Sequence, residues 1–82
     1  MKRLIKFEKP GCVPCATMQN YLEELNAEVE KVNPFEKPEL AIKYNIASVP
    51  TLVLVNEEGN MVASSSGFKP DEIAWLVSLT NE

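Results

Sequence analysis

The sequence predicts an α/β domain: a four-stranded mixed sheet flanked by three helices, in the order β-α-β-α-β-β-α. Three observations carry this. Short runs of strand-forming residues alternate with segments whose apolar residues recur at helical spacing. One run, Thr51–Val55, is β-branched or aliphatic throughout, as a strand covered on both faces has to be. The last two strands are separated only by residues 56–60, in which Asn56-Glu57-Glu58-Gly59 supplies turn chemistry, so they form a hairpin and the sheet cannot be wholly parallel.

The first strand is the run Leu4, Ile5 and Phe7, ended by Pro10-Gly11. The first helix runs from Val13 to Leu25, with Met18, Tyr21, Leu22 and Leu25 at helical spacing. Pro14 falls in its first turn, where a missing N–H costs nothing. Ala27 to Asn33, carrying Val29 and Val32, is a second, short strand, joined to the first by a helix and hence parallel to it with a right-handed crossover. Pro34 to Pro38 connects to a helix through Leu40, Ala41 and Tyr44. After Thr51–Val55 and the turn, Met61 to Ser65 returns as the hairpin partner and Gly67 ends it. Pro70 opens the last helix, in which Ile73, Trp75, Leu76 and Leu79 are expected to form the apolar face. Asp71 and Glu72 sit near the positive end of its dipole.

With 82 residues the chain is expected to be one domain, 1–82, with a radius of gyration of about 12 Å. A hydrophobic content of 45% with 24% charged residues is ordinary globular composition. The net charge of −4 argues against nucleic acid or an anionic membrane as partner, since both select basic surfaces. No segment approaches the roughly 20 apolar residues of a membrane span. Lys6, Glu8 and Lys9 interrupt any leader-like apolar run behind the basic N-terminus, so the expected location is the cytoplasm. Histidine is absent, which removes imidazole acid–base catalysis and any histidine metal ligand.

The chemistry therefore rests on Cys12-Val13-Pro14-Cys15 at a strand-to-helix turn. Cysteines three apart on a first helical turn share a face and can bridge. Closing so short a loop restrains the unfolded chain by only about 2 kcal/mol, so a reversible bond explains the spacing better than a structural staple. A thiol at a helix N-terminus faces unpaired backbone donors and the positive end of the dipole, which favour the thiolate. Cys12, the outer thiol, is the expected nucleophile, and Cys15, one turn in, the expected resolving thiol. A zinc site is the alternative use of such a pair. It would take a dimer to complete it here, because the chain holds no third cysteine and no histidine.

This strand, break, Cys12–Cys15 pair and helix resemble the thioredoxin family, and so does Tyr44-Asn45-Ile46-Ala47-Ser48-Val49-Pro50-Thr51-Leu52, followed by the Gly59 hairpin and Gly67. The resemblance covers nearly the whole chain, beginning at the strand that leads to the cysteines. It implies the thioredoxin fold at the minimal size of glutaredoxin-like members. It also implies a cis Val49–Pro50 bond against the cysteine pair, leaving the Val49 backbone free to pair with an extended substrate segment. Gly67 matches a glycine beside the site, where close backbone approach would exclude a side chain. The docking surface so implied comprises Gly11, Val13, Val49, Pro50, Gly67 and Phe68, with Phe68 equally suited to the core.

Two positions depart from the family pattern. Gly11 stands where a tryptophan usually precedes the first cysteine, which reduces the apolar ledge beside the nucleophile. Lys6 stands where a buried aspartate usually lies behind the second cysteine, while that aspartate's lysine partner is matched at Lys31. Two lysines facing each other in a core would be unfavourable, so Lys6 is expected to reach towards water or Glu8 as a solvated, salt-bridging residue. Cys15 would then be deprotonated through water or Glu8, with a nearby positive charge favouring the Cys12 thiolate. The acidic residues Glu23, Glu24, Glu28 and Glu30 read as a solvated face.

The resemblance implies a dithiol–disulfide oxidoreductase that reduces protein disulfides. It would have no cofactor beyond its redox-active disulfide and would draw electrons from NADPH through a flavoprotein thioredoxin reductase. Oxidised proteins, ribonucleotide reductase among them, would be its clients, and the chain would act as a monomer. A glutaredoxin-like redoxin using glutathione is the nearest alternative, with the proline-bearing motif counting against it. A non-catalytic thiol- or metal-binding module is the other.

Overall fold

β1 (Arg3–Phe7), α1 (Val13–Glu24), β2 (Val29–Val32), α2 (Pro38–Lys43), β3 (Thr51–Val55), β4 (Met61–Ser66) and α3 (Pro70–Leu79) follow one another in the predicted order. The structure is a computed structural model that describes residues 2–80, so residues 1, 81 and 82 of the expected 1–82 domain lie outside the described residues. The strands form one mixed sheet in the order β2-β1-β3-β4. β1 runs parallel to β2 and antiparallel to β3, and β3 and β4 form the antiparallel hairpin. The radius of gyration is 11.6 Å.

Strand alternation divides the buried residues into two layers. On one face Leu4, Leu52 and Leu54 pack with Met18 and Leu22 of α1 and Ile73 and Leu76 of α3. On the other, Ile5, Phe7, Val32, Val53 and Val55 pack with Tyr44, which follows α2. All five residues of β3 are buried, which is why this strand reads as uninterrupted apolar sequence. Each large aliphatic side chain removed from water contributes about 1.5–3 kcal/mol, so most of the stabilisation sits at this central strand and the helices above it.

Both internal helix ends use asparagine where glycine is commoner. Asn26 and Asn45 take left-handed φ values of 55° and 60°. Behind them, Ala27 N–H donates to Leu22 C=O and Ile46 N–H to Ala41 C=O, at 3.0 and 2.8 Å. These bonds span one residue more than helical ones and satisfy the last carbonyls of α1 and α2. They also delay the second strand, which starts at Val29 rather than Ala27. In the β3–β4 turn, Asn56 Oδ1 accepts from the N–H groups of Glu58 and Asn60, and Gly59 takes φ +83°. Tyr44 Oη donates to the Gly59 carbonyl at 2.7 Å and ties the turn to α2.

Trp75 departs from expectation: it is 53% exposed, while Ile73 and Leu76 on the same helix are fully buried. At about 100° per residue Trp75 lies about 160° around the helix from Ile73, so the two cannot share one buried stripe. Leu79 is half-buried against the α1 layer, as expected.

Candidate active site

The register brings the motifs to one end of the sheet. Phe7 lies opposite Thr51 and beside Val32, and Thr51 lies opposite Ser66. The loop from Glu8 to Cys12, the segment 48–50 and Gly67 therefore leave the sheet at the same end. Two bonds fix their relation: Gly67 N–H donates to the Pro50 carbonyl at 2.8 Å, and Thr51 Oγ1 donates to the Ser48 carbonyl at 2.8 Å. The Val49–Pro50 peptide is cis. Pro50 is buried, while Val49 is half-buried against the Phe7–Tyr44 layer.

Cys12 caps α1 with extended backbone, φ −95° and ψ 108°. Its sulfur accepts from the Cys15 N–H at 3.1 Å, using one of the donors a helix start leaves free. Pro14 removes a donor from the same turn at no loss. Cys12 and Cys15 are joined as a disulfide with Cα atoms 5.2 Å apart, inside the normal span of such a bridge. Cys15 is 3% exposed and Cys12 half-buried, and Val13 between them is 76% exposed. The first turn of α1 carries no acidic residue, so nothing on the helix neutralises the positive end of its dipole where Cys12 sits.

Lys6 is not solvated. It is 1% exposed, and its ammonium makes an ion pair with Glu8 Oε1 at 2.7 Å and donates to the Cys15 carbonyl at 2.8 Å and to Gln19 Oε1 at 3.1 Å. Three donors thus meet three acceptors, which is what lets a cation stay buried. The reason lies in the pleat: alternation puts Lys6 on the same face as Leu4, directly under α1. The expected partner Glu8 is present, with its side chain 31% exposed. Lys31 lies beside Lys6 in the parallel register but is exposed, so the two ammonium groups do not share a buried site.

Sequence reasoning missed Gln19. It accepts from Lys6 and donates to Glu23 Oε2 at 3.0 Å, which fixes which way its amide points. Its signal was the spacing of four from Cys15, which places both over the same strand. The remaining acids match their reading as a solvated face: Glu23, Glu24, Glu28 and Glu30 are all exposed, with Glu30 paired to Arg3 at 3.3 Å.

One position read from the resemblance differs in its physical basis. At Gly67 a Cβ would meet no atom of the described residues beyond its two chain neighbours within 4 Å, so crowding does not require glycine there. The requirement comes from φ +80°, a conformation side chains disfavour. Gly11 is the same case, with φ +74° and open space around it. Phe68 sets its ring edge-on to Tyr21, centroids 5.9 Å apart, and packs against the α1 layer. Of its two expected uses, packing is the one this contact serves. Among the described residues no group of three or more cysteine, aspartate or glutamate side chains is placed to hold a metal ion, and no helix is long and apolar enough to cross a membrane.

Comparison with known proteins agrees with this geometry. The Thioredoxin family model matches residues 1–78. The SPbeta prophage-derived thioredoxin-like protein YosR of Bacillus subtilis is 42% identical over 75 residues, covering 92% of this chain and 94% of that protein. A thioredoxin of the same organism is 41% identical, covering 84% of this chain and 71% of its own length. A solved thioredoxin from Halobacterium salinarum superimposes with a TM-score of 0.80 at 30% identity, over 99% of this chain and 75% of that one. One from Malassezia sympodialis shares the fold at a TM-score of 0.84 and 20% identity, over 99% of this chain and 76% of that one. A half-buried cysteine capping a helix and bridged to a buried one a turn later, at the end of the sheet where a cis-proline segment also leaves it, thus belongs to a member of the thioredoxin family, a thiol–disulfide oxidoreductase with Cys12–Cys15 as its redox-active disulfide.

Proposed function

We propose that the protein is a reductant of protein disulfides in the cytoplasm, with Cys12 as attacking thiol and Cys15 as resolving thiol. The observation that supports this order is the contrast between the two sulfurs. Cys12 is partly exposed and accepts a backbone N–H at the helix start, whereas Cys15 is buried one turn in. A thiolate forms most readily at the first position and can be reached there by a client. The Cys12 thiolate attacks a client disulfide, forming a mixed disulfide and releasing one client sulfur as thiolate. Cys15 loses its proton to solvent or Glu8 and attacks the Cys12 sulfur, which closes the Cys12–Cys15 bond and releases the second client sulfur. The client gains two electrons and the protein loses two.

The client segment docks as an added strand along Val49, with Gly11, Val13, Pro50 and Gly67 around it. Pro14 holds the first turn, and Phe68 borders the surface from behind through Tyr21. The dithiol is restored by a flavoprotein thioredoxin reductase with electrons from NADPH, and ribonucleotide reductase is one client this chemistry suits. The protein works as a monomer.

The reduction potential tests the direction. Equilibration with glutathione and dithiothreitol buffers is expected to give a value at or below about −230 mV, in the range of reducing members. A value at or above about −180 mV would mark an oxidant or isomerase and overturn the assignment. The roles of the two thiols separate by substitution: Cys15→Ser should accumulate a mixed disulfide with an oxidised protein client, and Cys12→Ser should form none.

A further inference from the structure

The reactive pair lies over a buried cation. Lys6 is 1% exposed, on the face of β1 covered by α1, and donates to the backbone carbonyl of Cys15 itself at 2.8 Å. From that carbonyl oxygen the covalent reach of one residue puts the Cys15 sulfur within about 8 Å of the ammonium. The ammonium cannot swing away, because Glu8 and Gln19 hold its other two protons and Gln19 is itself held by Glu23.

A thiol as buried as Cys15 resists ionisation, since burial penalises the charged form. Resolution of a mixed disulfide nevertheless requires its thiolate. A fixed positive charge under the first turn of α1 offsets that penalty without itself accepting a proton. We propose that Lys6 is a positioning residue that sets the redox poise of the pair: its clamped ammonium stabilises the thiolate form of the reduced state. The disulfide carries no charge and gains nothing comparable, so Lys6 favours reduction. Glu8 restrains the effect, being an anion 2.7 Å from the cation. Among the charged groups around Lys6, Lys31 on β2 is exposed and in register with it, and Glu23 on α1 is exposed behind Gln19. From β3 its register partner is the apolar Leu52.

This inference rests on the dithiol reading of Cys12 and Cys15, and its test separates the two. The equilibrium is protein disulfide plus two glutathione thiols giving protein dithiol plus glutathione disulfide, read at about pH 9.5, above the ordinary range of a cysteine thiol, so that a change in the acid constant is carried in full into the equilibrium. At separations near 8 Å and an effective dielectric constant near 20, a unit charge changes an acid constant by about one and a half powers of ten, and Glu8 takes back part of that. Lys6→Met is therefore expected to shift the equilibrium about tenfold towards the disulfide, about 30 mV more negative. Glu8→Gln frees Lys6 of its restraining anion and should shift it about threefold the opposite way, about 15 mV more positive. In a Cys12→Ser background, thiolate absorbance should show Cys15 about tenfold less acidic when Lys6→Met is added. Packing damage alone would not give two neighbouring substitutions opposite signs. Shifts of the same sign, or none in either variant, overturn the inference while leaving the dithiol reading intact. Absence of any reversible disulfide overturns the dithiol reading instead. If Lys6→Met does not fold, the sign of the Glu8→Gln shift decides.

Discussion

Removing the two ends of the Lys6–Glu8 pair should cost unequal amounts of stability, because only one end is fully buried. Glu8→Gln leaves an ammonium at 1% exposure facing only neutral oxygens. Breaking a fully buried pair in this way costs about 3–5 kcal/mol. The Glu8 side chain is 31% exposed, so water already screens part of the attraction and the loss falls to about 2 kcal/mol. Lys6→Met leaves the opposite residue, a carboxylate that can rehydrate where it stands. The Cys15 carbonyl keeps its place in the helical ladder, Gln19 keeps its bond to Glu23, and methionine fills the volume of the lysine stem. The expected change is within about 1 kcal/mol of zero. The double variant, with no charge left in the layer, should be no less stable than Glu8→Gln alone. Urea unfolding of the oxidised protein, in which no thiol titrates, measures all three. Thermal midpoints should follow at about 5 °C per kcal/mol in a domain of this size. A cost of 3 kcal/mol or more for Lys6→Met, or a cost equal to that of Glu8→Gln, would refute the reasoning, because the lysine would then be a net source of stability.

Two further substitutions test other parts of the scaffold. Gly67→Ala should cost about 1–2 kcal/mol in urea unfolding through the positive φ alone, since among the described residues nothing beyond its chain neighbours crowds the position; a loss above 4 kcal/mol would show a steric conflict. Tyr44→Phe should cost about 1–3 kcal/mol by leaving the Gly59 carbonyl without its 2.7 Å donor, while insulin-reduction activity, read from the opposite end of the sheet, stays within about twofold.

What could be read from the sequence was mostly what is decided locally. Thr51–Val55, the Asn56–Gly59 turn and Cys12–Cys15 at a helix start are each settled by a few adjacent residues, and the structure contains all of them. Lys6 was misjudged because a global expectation, that lysine stays in water, was set against a local one. The alternation Leu4, Lys6 already placed both on one face of a strand that a helix has to cover. Only the tertiary partners, Gln19 on α1 and the Cys15 carbonyl, make that placement tolerable, and they lie nine and more residues away. Trp75 fails for the reverse reason: its chemistry suggests a core and its helical phase forbids one. At Gly67 the residue type was legible and its cause was not, because a backbone sign leaves no composition signal of its own.

Stability and potential are two sides of one thermodynamic square, which makes the role of Lys6 harder to mistake. The folded protein can be reduced and then unfolded, or unfolded and then reduced, and both routes end at the same state. A substitution that shifts the folded potential while leaving the unfolded potential alone must therefore change the stabilities of the oxidised and reduced forms by different amounts. A tenfold shift in the glutathione equilibrium corresponds to about 1.4 kcal/mol. Lys6→Met should thus destabilise the reduced protein by about 1.4 kcal/mol more than the oxidised one, whatever its cost in either form alone. For Glu8→Gln the difference should reverse in sign. Unfolding curves with and without reductant measure this difference without reference to any potential. If it fails to match the potential shift for the same variant, the unfolded chain is contributing, and the poise is not set in the folded site. If both vanish together, the Lys6 charge is invisible to the thiolate, and its burial under Cys15 serves the packing of α1 on β1 alone.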